Sequence, residues 1–135
     1  MTRQVRSGKG WRLGWHPHAD QFKGLVAGDT WAIELTAAEF KDFIRLAQQL
    51  STTMTAMTEQ LMDEEKLSCE QETETIWIEA EGFPHCYSLR FMLLTGRRGE
   101  GEWPNTVVPK LLEALNQSPF SQINQTDPIN QTNQI

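Results

Sequence analysis

Apolar residues recur in two rhythms along this chain of 135 residues. Trp31, Ile33 and Leu35 alternate with Ala32 and Glu34, the two-residue period of a half-buried strand. The rhythm then changes. Phe40, Phe43, Ala47, Leu50, Met54, Met57 and Leu61 follow at three- and four-residue steps, which predicts a helix with one apolar face. Thr36 stands three residues before Glu39, the capping-box spacing in which each side chain satisfies an amide at the helix start. Thr52, Thr53, Thr55 and Thr58 each cost the helix a few tenths of a kcal/mol, on the order of 0.5. The stripe nevertheless keeps its phase through them, so one helix is expected to about Met62. At about 1.5 Å per residue it would span on the order of 37 Å, and a surface of similar length has to cover it. Uncharged positions beside the apolar seam argue for a sheet as that surface rather than a coiled-coil partner.

The same reading extends to the rest of the chain. Trp11, Leu13 and Trp15 share one face of a strand that His16-Pro17 interrupts, because proline cannot donate to a ladder. Residues 22–26 form a second short strand, so three strands precede the helix in meander order. Beyond it, Leu67, Cys69 and Gln71 alternate with polar neighbours, as do Ile76, Ile78 and Ala80, and then Tyr87, Leu89, Phe91 and Leu93. A glycine-rich tip at residues 96–101 leads to Trp103 on a short last strand. Pro109 suits the first turn of a second helix, with Val108, Leu111, Leu112 and Leu115 as its apolar side. The expected fold class is α+β: strands-then-helix units in duplicate, antiparallel sheets packed with two helices. Residues 1–9 are expected as a flexible basic arm, 10–117 as a single domain and 118–135 as a disordered tail. In that tail Ile-Asn-Gln-Thr occurs twice within an Asn/Gln-rich stretch that is too polar to pack.

Composition narrows the function classes. Net charge is −6, which argues against indiscriminate polyanion binding. The charge is unevenly placed: Arg3, Arg6, Lys9 and Arg12 share the first twelve residues with no acid, and eight acids but only Lys66 lie between Asp63 and Glu81. No apolar run reaches the roughly 18 residues of a membrane helix, and the N-terminus lacks the apolar region of a secretory signal. A cytoplasmic protein is expected, with Cys69 and Cys86 as reduced thiols and no membrane partner.

The segments GWRLGWHP, GDTWAIELTAAEF, QLMDEEKLSCE, IWIEAEG and YSLRFMLLTGRRGEGEWP resemble an uncharacterised family of small proteins from photosynthetic bacteria, known as a domain of unknown function. The resemblance covers about residues 8–117. It implies a fold similar to the Whirly and transcriptional-coactivator class of single-stranded-DNA-binding regulators, built from four-strand-plus-helix units that pair. It implies no activity, ligand or catalytic residue.

Single-strand binders combine a basic track with aromatic faces on which bases stack. Candidates for the track are Arg12, Lys23, Arg90, Arg97 and Arg98, and for the stacking faces Trp15 and Trp103. The competing reading makes the tryptophans core, pairs Arg90 with strand glutamates, and leaves Arg97 and Arg98 as solubilising loop residues. His16 and His18 lack the paired Cys or His elements of a structural zinc site, so no metal and no cofactor are expected. Neither a nucleophile elbow nor a phosphate loop occurs, and the acids have no partner to poise them for catalysis. A non-enzymatic binding protein is therefore expected, monomeric or homodimeric. Its ligand is expected to be single-stranded DNA or RNA, with a protein–protein interaction module as the alternative.

Overall fold

The computed structural model describes residues 2–58 and 65–125. The chain forms β1 (Gln4–Gly8), β2 (Trp11–Trp15), β3 (Gly24–Ala27), β4 (Ala32–Leu35), α1 (Ala37–Met57), β5 (Leu67–Glu72), β6 (Ile76–Phe83), β7 (Cys86–Leu93), β8 (Glu100–Trp103), α2 (Val108–Leu115) and α3 (Phe120–Gln125). Strands β1–β4 make one antiparallel meander and β5–β8 a second. The expected α+β class with its repeated strands-then-helix order is what the molecule adopts.

Three expectations are corrected. Residues 4–8 are a strand, not a flexible arm: they pair with β2 from Gln4 against Trp15 to Gly8 against Trp11. Their charged sequence hid this, because an edge strand needs only one partner and little apolar content. A third helix is present, and residues 118–125 are not disordered, while the rest of the expected tail, 126–135, lies outside the described residues. Phe120 and Ile123 are buried in the core, two apolar residues being enough to anchor a polar segment. The expected extension of α1 through Leu61 to about Met62 lies outside the described residues, as do Asp63 and Glu64.

Helix α1 starts at the capping box that the spacing indicates. Thr36 Oγ1 accepts from the Glu39 amide at 3.2 Å, and the Thr36 amide donates to Glu39 Oε1 at 2.9 Å. Its buried face is wider than a single seam: Ile44 and Leu46 join Phe40, Phe43, Ala47, Leu50 and Met54. That width is needed because α1 packs on β5 and β6 of the second sheet as well as on β3 and β4 of its own. Each fully buried Phe or Leu on this face contributes about 1.5–3 kcal/mol.

The two units are joined where β4 meets β8. Trp103 Nε1 donates to the Ala27 carbonyl at 2.9 Å, and Trp31 Nε1 to the Glu102 carbonyl at 3.3 Å. Gly101 permits the second contact, since a Cβ there would fall 2.3 Å from the Trp31 ring. Trp31, Phe43, Phe91 and Trp103 form one aromatic cluster with centroids 5.0–5.8 Å apart, spacings at which tilted rings attract.

Candidate nucleic-acid interface

The strand registers sort every side chain into inward and outward faces, and the outward faces differ in charge. Strands β5–β8 carry Glu70, Glu72, Glu79, Glu81, Glu100 and Glu102 against a single cation, Arg90. Cross-strand pairs line them up: Glu70 opposite Glu79, Glu79 opposite Arg90, Arg90 opposite Glu102. The outer face of strands β1–β4 carries Arg12 and Glu34, with Arg3 and Lys9 beside it, whereas Arg6 pairs with the buried Leu13 on the inner face. The outer face of the second sheet is therefore predominantly acidic. The β1–β2 side carries more cations than acids.

Of the sequence candidates, Trp15 and Lys23 line a common groove, and the others do not join them there. Arg12 is exposed on the outer face of the first sheet. Arg90 lies on the outer face of the other sheet, where its guanidinium donates to Glu79 Oε1 at 3.1 Å and covers the Trp77 ring at 5.0 Å. Ser68 donates to the second Glu79 oxygen at 2.7 Å. That hydrogen bond first, and then Arg90, lowers the Glu79 pKa against the opposing effect of burial. The hydrogen bond to Glu79 raises that of Arg90.

Arg97 also has structural partners. It donates to Glu39, and at 2.7 Å to the Glu34 carbonyl, while its guanidinium lies 4.6 Å from the Phe22 centroid. Glu39 is 2 % exposed and also accepts from Thr95 Oγ1 at 3.0 Å, so the loop after β7 is tied to the start of α1. Lys23 Nζ is held by the carbonyls of Ala19 at 2.6 Å and Pro17 at 3.1 Å. Arg98 is exposed on the same loop as Arg97, in a left-handed conformation with φ 59°.

Trp103 offers no open face, and Trp15 has one face covered by the core. Trp103 is 0 % exposed, which removes it as a stacking platform. Trp15 turns inward and stacks on Phe40 at 5.8 Å and 14°, half-buried. In both cases the core claims the ring because it lies in phase with other inward residues of its strand.

The structure assembles a different set of residues. The β1–β2 hairpin and the start of α2 enclose a cleft of about 720 Å³, lined by Lys9, Trp11, Lys110, Ser7 and Thr106. On the outer face of the same sheet, Gly14 sits between Val5 and Leu25 in register and opens a groove of about 180 Å³ whose edges include Arg3, His16, Lys23 and the acid Glu34. Sequence reasoning passed over Lys9, Trp11 and Lys110 as a site. The signal available was the acid-free run of cations at the N-terminus, and it became a site only once residues 4–8 joined a sheet. Among the described residues, no three His, Cys, Asp or Glu side chains group as metal ligands. No helix among them is long and apolar enough to cross a membrane.

No curated protein matches this chain. Among solved structures, it is similar to a protein of unknown function from the DUF155 family of Prochlorococcus sp. NATL2A, with 29 % identity and a TM-score of 0.79. The match covers 84 % of this chain and 96 % of that one. The family model described as "Domain of unknown function (DUF1818)" matches residues 6–118, from within β1 to just beyond α2. The chain belongs to the DUF1818 family.

Proposed function

We propose that this protein is a non-enzymatic binding module for single-stranded nucleic acid, with the strand held along the β1–β2 side of the first sheet. The observation that carries this reading is the segregation of charge: an acid-poor sheet with Arg3, Lys9 and Arg12 on one hand, six glutamates on the other sheet on the other. The repeated four-strand-plus-helix order supports a Whirly-type fold, and two free thiols, Cys69 and Cys86, support a cytoplasmic setting. Phosphate contacts supply most non-specific affinity and make it salt-dependent.

A fluorescent single-stranded oligonucleotide is expected to bind in low salt and to lose affinity as salt rises. Arg3→Glu with Arg12→Glu should weaken it by about tenfold or more. Arg90→Glu, on the acidic sheet, should change it far less. No binding at low salt defeats the reading.

A second reading, a protein–protein interaction module, is favoured by the acidic outer face of β5–β8, which suits a basic protein. A loss of partner binding on Glu70→Lys with Glu102→Lys, with oligonucleotide binding unimproved, would select it.

A further inference from the structure

The cleft between the hairpin and α2 has the properties of a small-ligand site. Its volume of about 720 Å³ lies within the roughly 300–1,000 Å³ of small-molecule pockets. Its construction follows from three local features. Gly10, at φ 83°, turns the hairpin so tightly that a Cβ there would fall 2.7 Å from Val107. Gly8 lets the Trp11 indole lie against the strand, where any Cβ would meet its ring nitrogen at 2.4 Å. Helix α2 begins without a side-chain cap at Val107, which leaves the positive end of its dipole unanswered by a carboxylate.

The polar groups of the cleft are donors. Lys9 has no partner among the described residues, and Lys110 reaches only Glu113 at 3.6 Å, with both side chains more than half exposed, a contact of small energy. The indole N–H groups of Trp31, Trp77 and Trp103 each donate to a protein oxygen. Those of Trp11 and Trp15 have no acceptor among the described residues, and Trp11 is the one that lines this cleft. Ser7 and Thr106 add hydroxyls, and no acid lines the cleft. Two ammonium groups on opposite banks suit a dianion, and an indole wall suits a flat ring.

We infer that this cleft binds a planar aromatic phosphate, in the form of a nucleoside monophosphate or the phosphorylated end of a nucleic-acid strand. The two lysines hold the phosphate and Trp11 faces the base. The site shares Lys9 with the strand track proposed above but needs neither Arg3 nor Arg12 of that track.

Calorimetric titration of the full chain with adenosine monophosphate, adenosine, inorganic phosphate, and 5′-phosphorylated and unphosphorylated trinucleotides tests this. The nucleotide, or the phosphorylated trinucleotide, should bind at least about tenfold more tightly than adenosine or phosphate alone, because charge and ring contacts each contribute about a factor of ten. Preference for the phosphorylated trinucleotide over the mononucleotide identifies a strand end as the source, and the reverse identifies the free nucleotide. Lys9→Ala with Lys110→Ala should remove about tenfold of that affinity without shifting the melting transition. Trp11→Phe, which keeps a ring and deletes the donor, should weaken it several-fold. Absence of binding at millimolar ligand, equal affinity for inorganic phosphate, or an undiminished Lys9→Ala/Lys110→Ala variant overturns the site. Loss of longer-oligonucleotide binding with the mononucleotide site intact would instead defeat the strand-track reading alone.

Discussion

At the scale of single residues, the guanidinium of Arg97 illustrates how a surface arginine becomes structural. It compensates Glu39, a carboxylate only 2 % exposed that also accepts from the Thr36 amide and Thr95 Oγ1. Arg97→Met should therefore lower stability by about 2 kcal/mol, since it leaves a buried charge short of its charged donor. Arg98, one residue on, occupies a left-handed backbone at φ 59°. Arg98→Gly should leave stability unchanged or raise it by up to about 1 kcal/mol. Urea denaturation of the two variants separates the roles, and equal losses would contradict them. Glu79 gives a pH counterpart. Its folded pKa is depressed, by the Ser68 hydrogen bond first and by Arg90, so its stabilising contribution is present above the unfolded carboxylate value. It disappears as pH falls through the lower folded value. Ser68→Ala should thus be less stable than the parent at neutral pH, and the gap should close in acid. A gap independent of pH would assign the loss to something other than the carboxylate.

At the scale of elements, α1 and its cap were legible in the sequence because both signals are local: a three-residue Thr–Glu spacing and an apolar period over five turns. Strand β1 and helix α3 were not. Arg6 looks like arm, yet its guanidinium donates to the Ser118 carbonyl at 2.7 Å and fastens the hairpin to the segment before α3. Phe120 is a lone aromatic in a polar run, yet it meets Phe40 edge-on at 6.0 Å inside the core. Phe120→Ala should cost about 3–5 kcal/mol, the loss expected for a fully buried ring. Measured by thermal or chemical denaturation, a value under about 1 kcal/mol would mean that α3 rests on the domain without completing it.

At the scale of the whole molecule, the two units are held by groups that no sequence period reveals. The indole of Trp103 belongs to β8 yet donates to Ala27 at the end of β3, and Trp31 precedes β4 yet donates to Glu102 on β8. Trp103→Phe keeps most of the apolar ring but strands the Ala27 carbonyl, and should cost about 1–3 kcal/mol. Trp77→Phe, whose indole donates to the exposed Glu70, should cost less. Parity between the two would mean that the cross-unit bond contributes nothing beyond ring packing. The charge asymmetry also belongs to this scale: it exists because each meander turns one side of its strands to solvent, and six glutamates happen to share the side that β5–β8 expose.

By itself the sequence determined which stretches are strand and helix where periodicity ran for two turns or more, where α1 begins, and that acids and cations are segregated along the chain. Those are properties of neighbours in the chain, set by backbone geometry and side-chain phase. Only the tertiary structure decided that residues 4–8 and 120–125 are ordered, that Trp103 is core, that Arg90 and Arg97 have carboxylate partners, and that Lys9, Trp11 and Lys110 border one cleft. Each of these depends on atoms brought together from distant parts of the chain, and burial and pairing are decided by that approach rather than by the identity of the residue.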